Sequence, residues 1–212
     1  MQLYTFFRSS AAFRLRIALN HKGLDYEPIP VSLPRMEHRE PDYATVNPQR
    51  LVPALVDGPH TLIQSVAAME YLEETYPEPP LLPAGAIDRA YVRAITQIIA
   101  CDIHPLNNVR VLIYLKDQLG HEEATRNRWY AHWIAEGFTA LEGLLQGHGK
   151  AGRFCHGDAV SMADVCLVPQ VFNAQRFDCP TDPYPTIMRI FDACQKLEAF
   201  AKAAPAAQPD AA

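Results

Sequence analysis

The apolar positions of this chain keep two rhythms, separated by the proline-rich segment PEPPLLPAG at residues 77–85. Before it, strand-like and helix-like runs alternate. Gln2–Phe7 reads as a short β run, and Ala11–Lys22 places Phe13 and Ile17 at helical spacing until Gly23 stops it. Tyr26–Ser32 reads as a second strand, and the polar stretch PRMEHREPDY leads through a short helix to Asn47-Pro48. Leu51–Val56, the turn Asp57-Gly58 and Thr61–Ile63 make a hairpin; Val66–Tyr76 is helical, with Ala67, Leu72 and Tyr76 among its apolar positions. The order β-α-β-(α)-β-β-α predicts a small mixed sheet with helices on its faces.

After the prolines nothing reads as a strand. Ile87–Leu119, Ala124–Leu145, Met162–Phe177 and Thr186–Ala204 all repeat at helical spacing. The pattern divides the chain into an α/β domain over 1–82 and an all-helical domain over 83–212. The tail PAAQPDAA is low in complexity and is expected to fray.

Composition narrows the function without naming it. With 49% hydrophobic and 20% charged residues, the chain has the make-up of a soluble globular protein, and 212 residues bury a sizeable core. A formal charge of −5 argues against nucleic acid or an anionic membrane as partner. The five cysteines are odd in number and form no CxxC pair, which suits a reducing cytoplasm better than a disulfide framework. MQLYTFF lacks a signal-peptide pattern, and no apolar run approaches the roughly 18 residues of a membrane span. The histidines do not stand at metal-ligand spacings, so no metal is expected.

One stretch raises a chemical question. In FFRSSAAFRLRIAL, residues 6–19, an arginine and two serines stand where a strand gives way to a helix, with no nearby histidine or carboxylate to activate a hydroxyl. Taken locally, Ser9 and Ser10 read as helix caps.

That stretch, with the domain order, resembles the glutathione S-transferase superfamily, and SSAAFRLRIAL is similar to the zeta-class signature SSCxWRVRIAL. NPQRLVPAL, QSVAAMEYLEETYP, DIHPLNN, GFTALE, GDAVSMADVCLVPQVFNAQRF and PYPTI also fit that class, in order along the whole chain. The resemblance implies an α/β plus all-α fold: a thioredoxin-like N-terminal domain that binds glutathione and a C-terminal helical bundle that binds substrate. It implies a glutathione-dependent cis–trans isomerase acting on a small dicarboxylate enone, in a cytoplasmic homodimer. Maleylpyruvate, isomerised to fumarylpyruvate in gentisate-type catabolism, is the expected substrate. Maleylacetoacetate, or general glutathione conjugation, is the alternative. The family cysteine is Ala11 here and its tryptophan is Phe13; neither change removes a serine.

The nucleophile would then be the glutathione thiol. A cysteine-type thiol has a pKa near 8.5, and lowering it by about two units needs roughly 2.7 kcal/mol. A helix N-terminus supplies about 0.3 to 2 kcal/mol and a hydroxyl donor about 1.5 to 3. Together they suffice. The resemblance assigns Ser9 to the thiolate, with Ser10 and Ala11 beside it. It places the backbone of Val52, before a cis Pro53, against the cysteinyl part of the tripeptide. Gln64 and Ser65 would take the γ-glutamyl carboxylate and His38 the glycyl one; Asp102, His104 and Asn108 are further glutathione candidates.

For the diacid, the arginine fork that grips carboxylates bidentately is offered by Arg8, Arg110 and Arg176, with His104 as a hydrogen-bond donor. On a straight helix His104, Asn107, Asn108 and Val111 share a side, while Arg110 falls half a turn away unless Pro105 distorts the helix. Arg110 is the reason for preferring maleylpyruvate, whose α-keto carboxylate suits an extra cation. Asp158 and Asp164 are not read as paired acids. Ser161-x-x-Asp164 before an apolar run is a capping box.

Overall fold

The computed structural model describes residues 1–211. It falls into two compact units: Met1–Leu81 together with Gln195–Ala212, and Leu82–Cys194.

The first unit is built on four strands, β1 (Gln2–Thr5), β2 (Glu27–Pro30), β3 (Ala54–Asp57) and β4 (His60–Ile63), in the order β2-β1-β3-β4. β1 pairs in parallel with β2 and antiparallel with β3, which pairs antiparallel with β4 through the turn Gly58-Pro59, one residue later than expected because Asp57 still pairs with His60. Gly58 has a φ of 56°, the left-handed conformation that a two-residue hairpin requires. Helices α1 (Ser10–His21), α2 (Pro41–Val46) and α3 (Ser65–Thr75) complete the predicted order.

α1 is the centre of this unit. Nine of its residues are buried, so it carries no polar face. Fully buried Phe13 anchors it, and truncation to alanine would cost about 3 to 5 kcal/mol. Two buried residues on the helix are arginines: Arg14 is 2% exposed and Arg16 0%. Such cations persist only when hydrogen-bonded. Lys22, just past the helix, is buried too; its ammonium lies 2.9 Å from Glu73 on α3 and donates to the carbonyls of Tyr76 and Pro79.

The second unit is helical: α4 (Ala86–Gln97), α5 (His104–Asn107), α6 (Val109–Asp117), α7 (Glu123–Gly147), α8 (Met162–Arg176) and α9 (Pro185–Gln195). The single helix expected over Ile87–Leu119 is interrupted twice. A π-helical stretch, Ile98–Ile103, follows α4, and Asn108 leaves helical geometry with ψ at 142°. α7 passes the π stretch at Gly137, where an added Cβ would collide with Ile103. Asp164 closes the expected capping box with Ser161 and also accepts from the Cys155 amide at 2.8 Å. Asp158 instead accepts from the Arg153 amide. No helix among the described residues is long and apolar enough to cross a membrane.

Two sequence expectations fail at the C-terminal end. The helix expected over Thr186–Ala204 ends at Gln195, and a second, α10 (Glu198–Ala203), follows after a break. The tail does not fray: Pro205 and Pro209 open single 3-10 turns, and Asp210 accepts a hydrogen bond from the Phe7 amide at 2.9 Å. Ala212 lies outside the described residues.

Candidate functional site

In the first unit the stretches that carry Ser9, Val52 and Ser65 are linked through buried supports. Ser9 is the N-cap of α1, in extended geometry, and its Oγ accepts from the Ala12 amide at 3.3 Å. A hydroxyl that accepts still holds its own proton, so capping and donation to an anion are compatible. Ser10 is buried as the first residue of α1, and Ala11 is half-buried beside it. Arg8 is exposed on the turn between β1 and α1, its guanidinium 5.0 Å from the centre of the Phe7 ring.

The Val52-Pro53 peptide is cis. Val52 packs in the apolar cluster that holds Phe6, Val31 and Tyr43, tying this turn to the end of β1. The preceding carbonyl, that of Leu51, accepts from both Tyr43 Oη and Asn47 Nδ2 at 2.6 Å. Burial pushes the Tyr43 hydroxyl up to about 12, which keeps it a neutral donor.

Gln64 precedes α3 with a φ of 68°, a conformation rare outside glycine, and its side-chain amide is held by Gln49 at 2.7 Å. Ser65 opens α3, and its Oγ accepts from the buried Arg14 at 3.4 Å. A helix N-terminus with a guanidinium behind it is an anion site in kind. His38 is on a 3-10 turn, Glu37–Arg39, that leads into α2. Burial, then the charge of Arg39, lowers its pKa, and its buried Nδ1 has no hydrogen-bond partner among the described residues.

The second unit carries the remaining glutathione candidates, Asp102, His104 and Asn108, and the substrate candidates other than Arg8. Asp102 is exposed on the π stretch. His104 opens α5, and its Nε2 is 3.5 Å from Asn108 Nδ2. Asn108 caps α6 through the Arg110 amide at 3.1 Å, so Arg110 is tied to this break by its backbone while its side chain is exposed. The break takes Val111 off the helix that carries His104. Asn107 and Trp129 tie α5 to α7: Asn107 Nδ2 donates to the Tyr130 carbonyl, and Trp129 Nε1 to that of Leu106. Tyr130 stacks on Phe177 at 4.0 Å, and Arg176, exposed at the end of α8, lies 4.6 Å from the Phe177 ring centre. Burial raises the Tyr130 hydroxyl pKa, and the charge of Arg176 opposes that rise.

Comparison with known proteins decides what this arrangement belongs to. Residues 1–74 match the family model described as the N-terminal domain of glutathione S-transferase. The whole chain is 51% identical to the whole of a maleylpyruvate isomerase from a Ralstonia species. It is 49% identical to a probable maleylacetoacetate isomerase from Vibrio cholerae, over 99% of this chain and 97% of that one. A solved holo structure of a maleylpyruvate isomerase, described as a bacterial zeta-class glutathione S-transferase, superposes with a TM-score of 0.98 at 51% identity, each chain covered completely. A maleylacetoacetate isomerase from Methylobacterium extorquens AM1, solved with bound malonate and glutathione, has a TM-score of 0.97 at 41% identity, again over both complete chains.

The chain belongs to the zeta class of the glutathione S-transferases.

The first unit thus offers a serine hydroxyl at the start of α1, the N-terminus of α3 and a buried His38 imidazole nitrogen without a hydrogen-bond partner among the described residues. Sequence reasoning missed Arg14 and Arg16 as parts of this transferase's site support. Their only signal was an arginine pair inside a run of apolar helix positions.

Proposed function

We propose that this zeta-class enzyme is a glutathione-dependent cis–trans isomerase that converts maleylpyruvate to fumarylpyruvate, with the first unit binding glutathione and the helical unit binding the diacid. The observation that carries the mechanism is Ser9: a cap that accepts from Ala12 while its proton stays available, at the positive end of a twelve-residue helix. When bound, glutathione supplies the thiolate that adds reversibly to the cis double bond and so frees it to rotate.

The protein's own groups do the rest. Ser9 donates its hydroxyl proton toward the sulfur and favours the thiolate. Ser10 and Ala11 shape the backbone around it. The Val52 backbone, fixed from behind by Tyr43 and Asn47, pairs with the cysteinyl part of the tripeptide. Gln64 and Ser65 hold the γ-glutamyl carboxylate, and His38 takes the glycyl one; Asp102, His104 and Asn108 contribute further polar contacts. Arg176 anchors the distal carboxylate of the substrate. Arg8 and Arg110 are the cations available to the charge that develops on the substrate's ketone oxygen, and His104 is a further hydrogen-bond donor. No general base is needed.

A second reading, maleylacetoacetate as substrate, is favoured by the equally extensive likeness to isomerases of that name. The two diacids differ by one methylene, worth only about 1 to 3 kcal/mol in a pocket. Arg110 is our reason for placing maleylpyruvate first, and with it a role in aromatic-ring catabolism of the gentisate type. Five free cysteines support a cytoplasmic location, and family likeness supports a homodimer.

The test is isomerisation of each diacid by purified protein, with and without glutathione. Glutathione-dependent turnover favouring maleylpyruvate is expected. The opposite preference would assign the enzyme to homogentisate breakdown. Turnover of neither, with glutathione bound, would overturn the isomerase reading in favour of a conjugating transferase.

A further inference from the structure

The turn that carries Arg8 and Ser9 is gripped from behind by residues far away in sequence. It spans Phe6 to Ser9 and is closed by the Ser9 amide donating to the Phe6 carbonyl at 2.9 Å. Arg16 reaches under it from about two turns further along α1. Its Nη2 donates to the Phe7 carbonyl at 2.9 Å, and its Nη1 to Thr5 Oγ1 at 2.9 Å and the Phe6 carbonyl at 3.4 Å. The remaining donor, Nε, goes to the Ala203 carbonyl at 3.0 Å, at the end of α10. Asp210, beyond α10, takes the Phe7 amide. The Phe7 residue is thus held on both sides, its C=O by Arg16 and its N–H by Asp210.

The strap that delivers Asp210 is itself fastened. Asn20 on α1 donates to the Ala199 carbonyl at 3.1 Å, and Gln208 donates to the carbonyls of Lys202 and Ala204 at 2.8 and 3.0 Å. Arg16 and Asp210 also bear opposite charges on the same peptide. Burial draws the guanidinium down to about 10, and Asp210 is among the groups that oppose that fall.

We infer that Asp210 and Arg16 are positioning residues for the reaction: the C-terminal strap fixes the Phe6–Ser9 turn and thereby aims the Ser9 hydroxyl. A serine hydroxyl on an unsupported turn would share its proton among several directions, and alignment decides how much a hydrogen bond to an anion is worth. The inference rests on the proposed role of Ser9 toward the thiolate.

The experiment compares Asp210→Ala, Asp210→Asn and Ser9→Ala with the unaltered protein. It reads kcat/KM for the diacid, the thermal midpoint, and the apparent pKa of bound glutathione from the ultraviolet absorbance of its thiolate. Asp210→Ala is expected to raise the thiol pKa and lower kcat/KM roughly five- to tenfold, the loss of one ordinary hydrogen bond. Asp210→Asn keeps a carbonyl acceptor for the Phe7 amide and is expected to recover most of both. A purely structural role would lower the midpoint and leave the thiol pKa in place. A wild-type thiol pKa in Asp210→Ala, or no recovery in Asp210→Asn, overturns the inference. Ser9→Ala separates the two levels. If it raises the thiol pKa while Asp210→Ala does not, Ser9 keeps its role and the strap loses its own. If Ser9→Ala leaves the pKa unchanged, the reading of Ser9 fails and the strap's consequence falls with it.

Discussion

The glutathione-end residues of the first unit sit on backbone that buried polar side chains hold from behind. The substrate-end residues of the second unit stand at helix ends and interruptions. Arg14, Arg16, Tyr43 and Asn47 never reach the surface of their turns, yet each ties down a peptide group or hydroxyl at the candidate site. Arg110 and Arg176, by contrast, are exposed: Arg176 lies over the Phe177 ring, and the Arg110 amide donates to a capping asparagine. Rigid backbone suits a cofactor that never changes; projecting side chains suit a substrate that differs by a methylene among relatives. The contrast predicts where mutation affects the chemistry and where it affects only choice.

The largest effect is expected at Ser9. Removing a donor to a charged acceptor in Ser9→Ala should lower turnover roughly ten- to a hundredfold, while Ser10→Ala costs less. Stopped-flow isomerisation rates check this, and equal losses at the two serines would break the assignment. Next is Arg176→Ala, which should weaken kcat/KM for the diacid about tenfold or more through KM, as loss of a bidentate carboxylate grip implies. If KM and kcat both stay at wild-type values, the anchoring role is wrong.

Gly137→Ala sharpens the comparison from the structural side. Its Cβ would collide with the buried Ile103 side chain, which must shift, at a cost of about 1 to 3 kcal/mol. Chemical denaturation reads the loss. Glutathione affinity should hold within a few-fold, because the first unit is untouched and only the proposed contacts of Asp102 and His104, beside Ile103, are disturbed. Arg110→Ala is expected to have the smallest effect: a few-fold shift of preference from maleylpyruvate toward maleylacetoacetate, read as a ratio of kcat/KM values. An unchanged ratio would remove the reason for ranking maleylpyruvate first.

Much of the frame was legible because it is written in local chemistry. The hairpin at Gly58, the capping box at Ser161 and the serine at the start of α1 each need residue types at fixed short spacings. The broken course of residues 87–119 was less legible. Apolar periodicity continues through both interruptions, and only Pro105 hinted at one; the close approach at Gly137 is a tertiary contact.

The sequence by itself determined the order of elements, the helix starts that carry Ser9 and Ser65, and, through its likeness to zeta-class enzymes, glutathione as the cofactor. Only the tertiary structure decided how those starts are held. The link from Asp210 to Phe7 and those from Arg16 to Ala203 and from Arg14 to Ser65 join residues far apart in the chain. In the sequence, two arginines inside an apolar helix look like a mismatch, and a short proline-rich tail looks like disorder. Burial turns them into necessary partners, because a guanidinium withdrawn from water must find carbonyls and hydroxyls, and those lie wherever the fold has brought them.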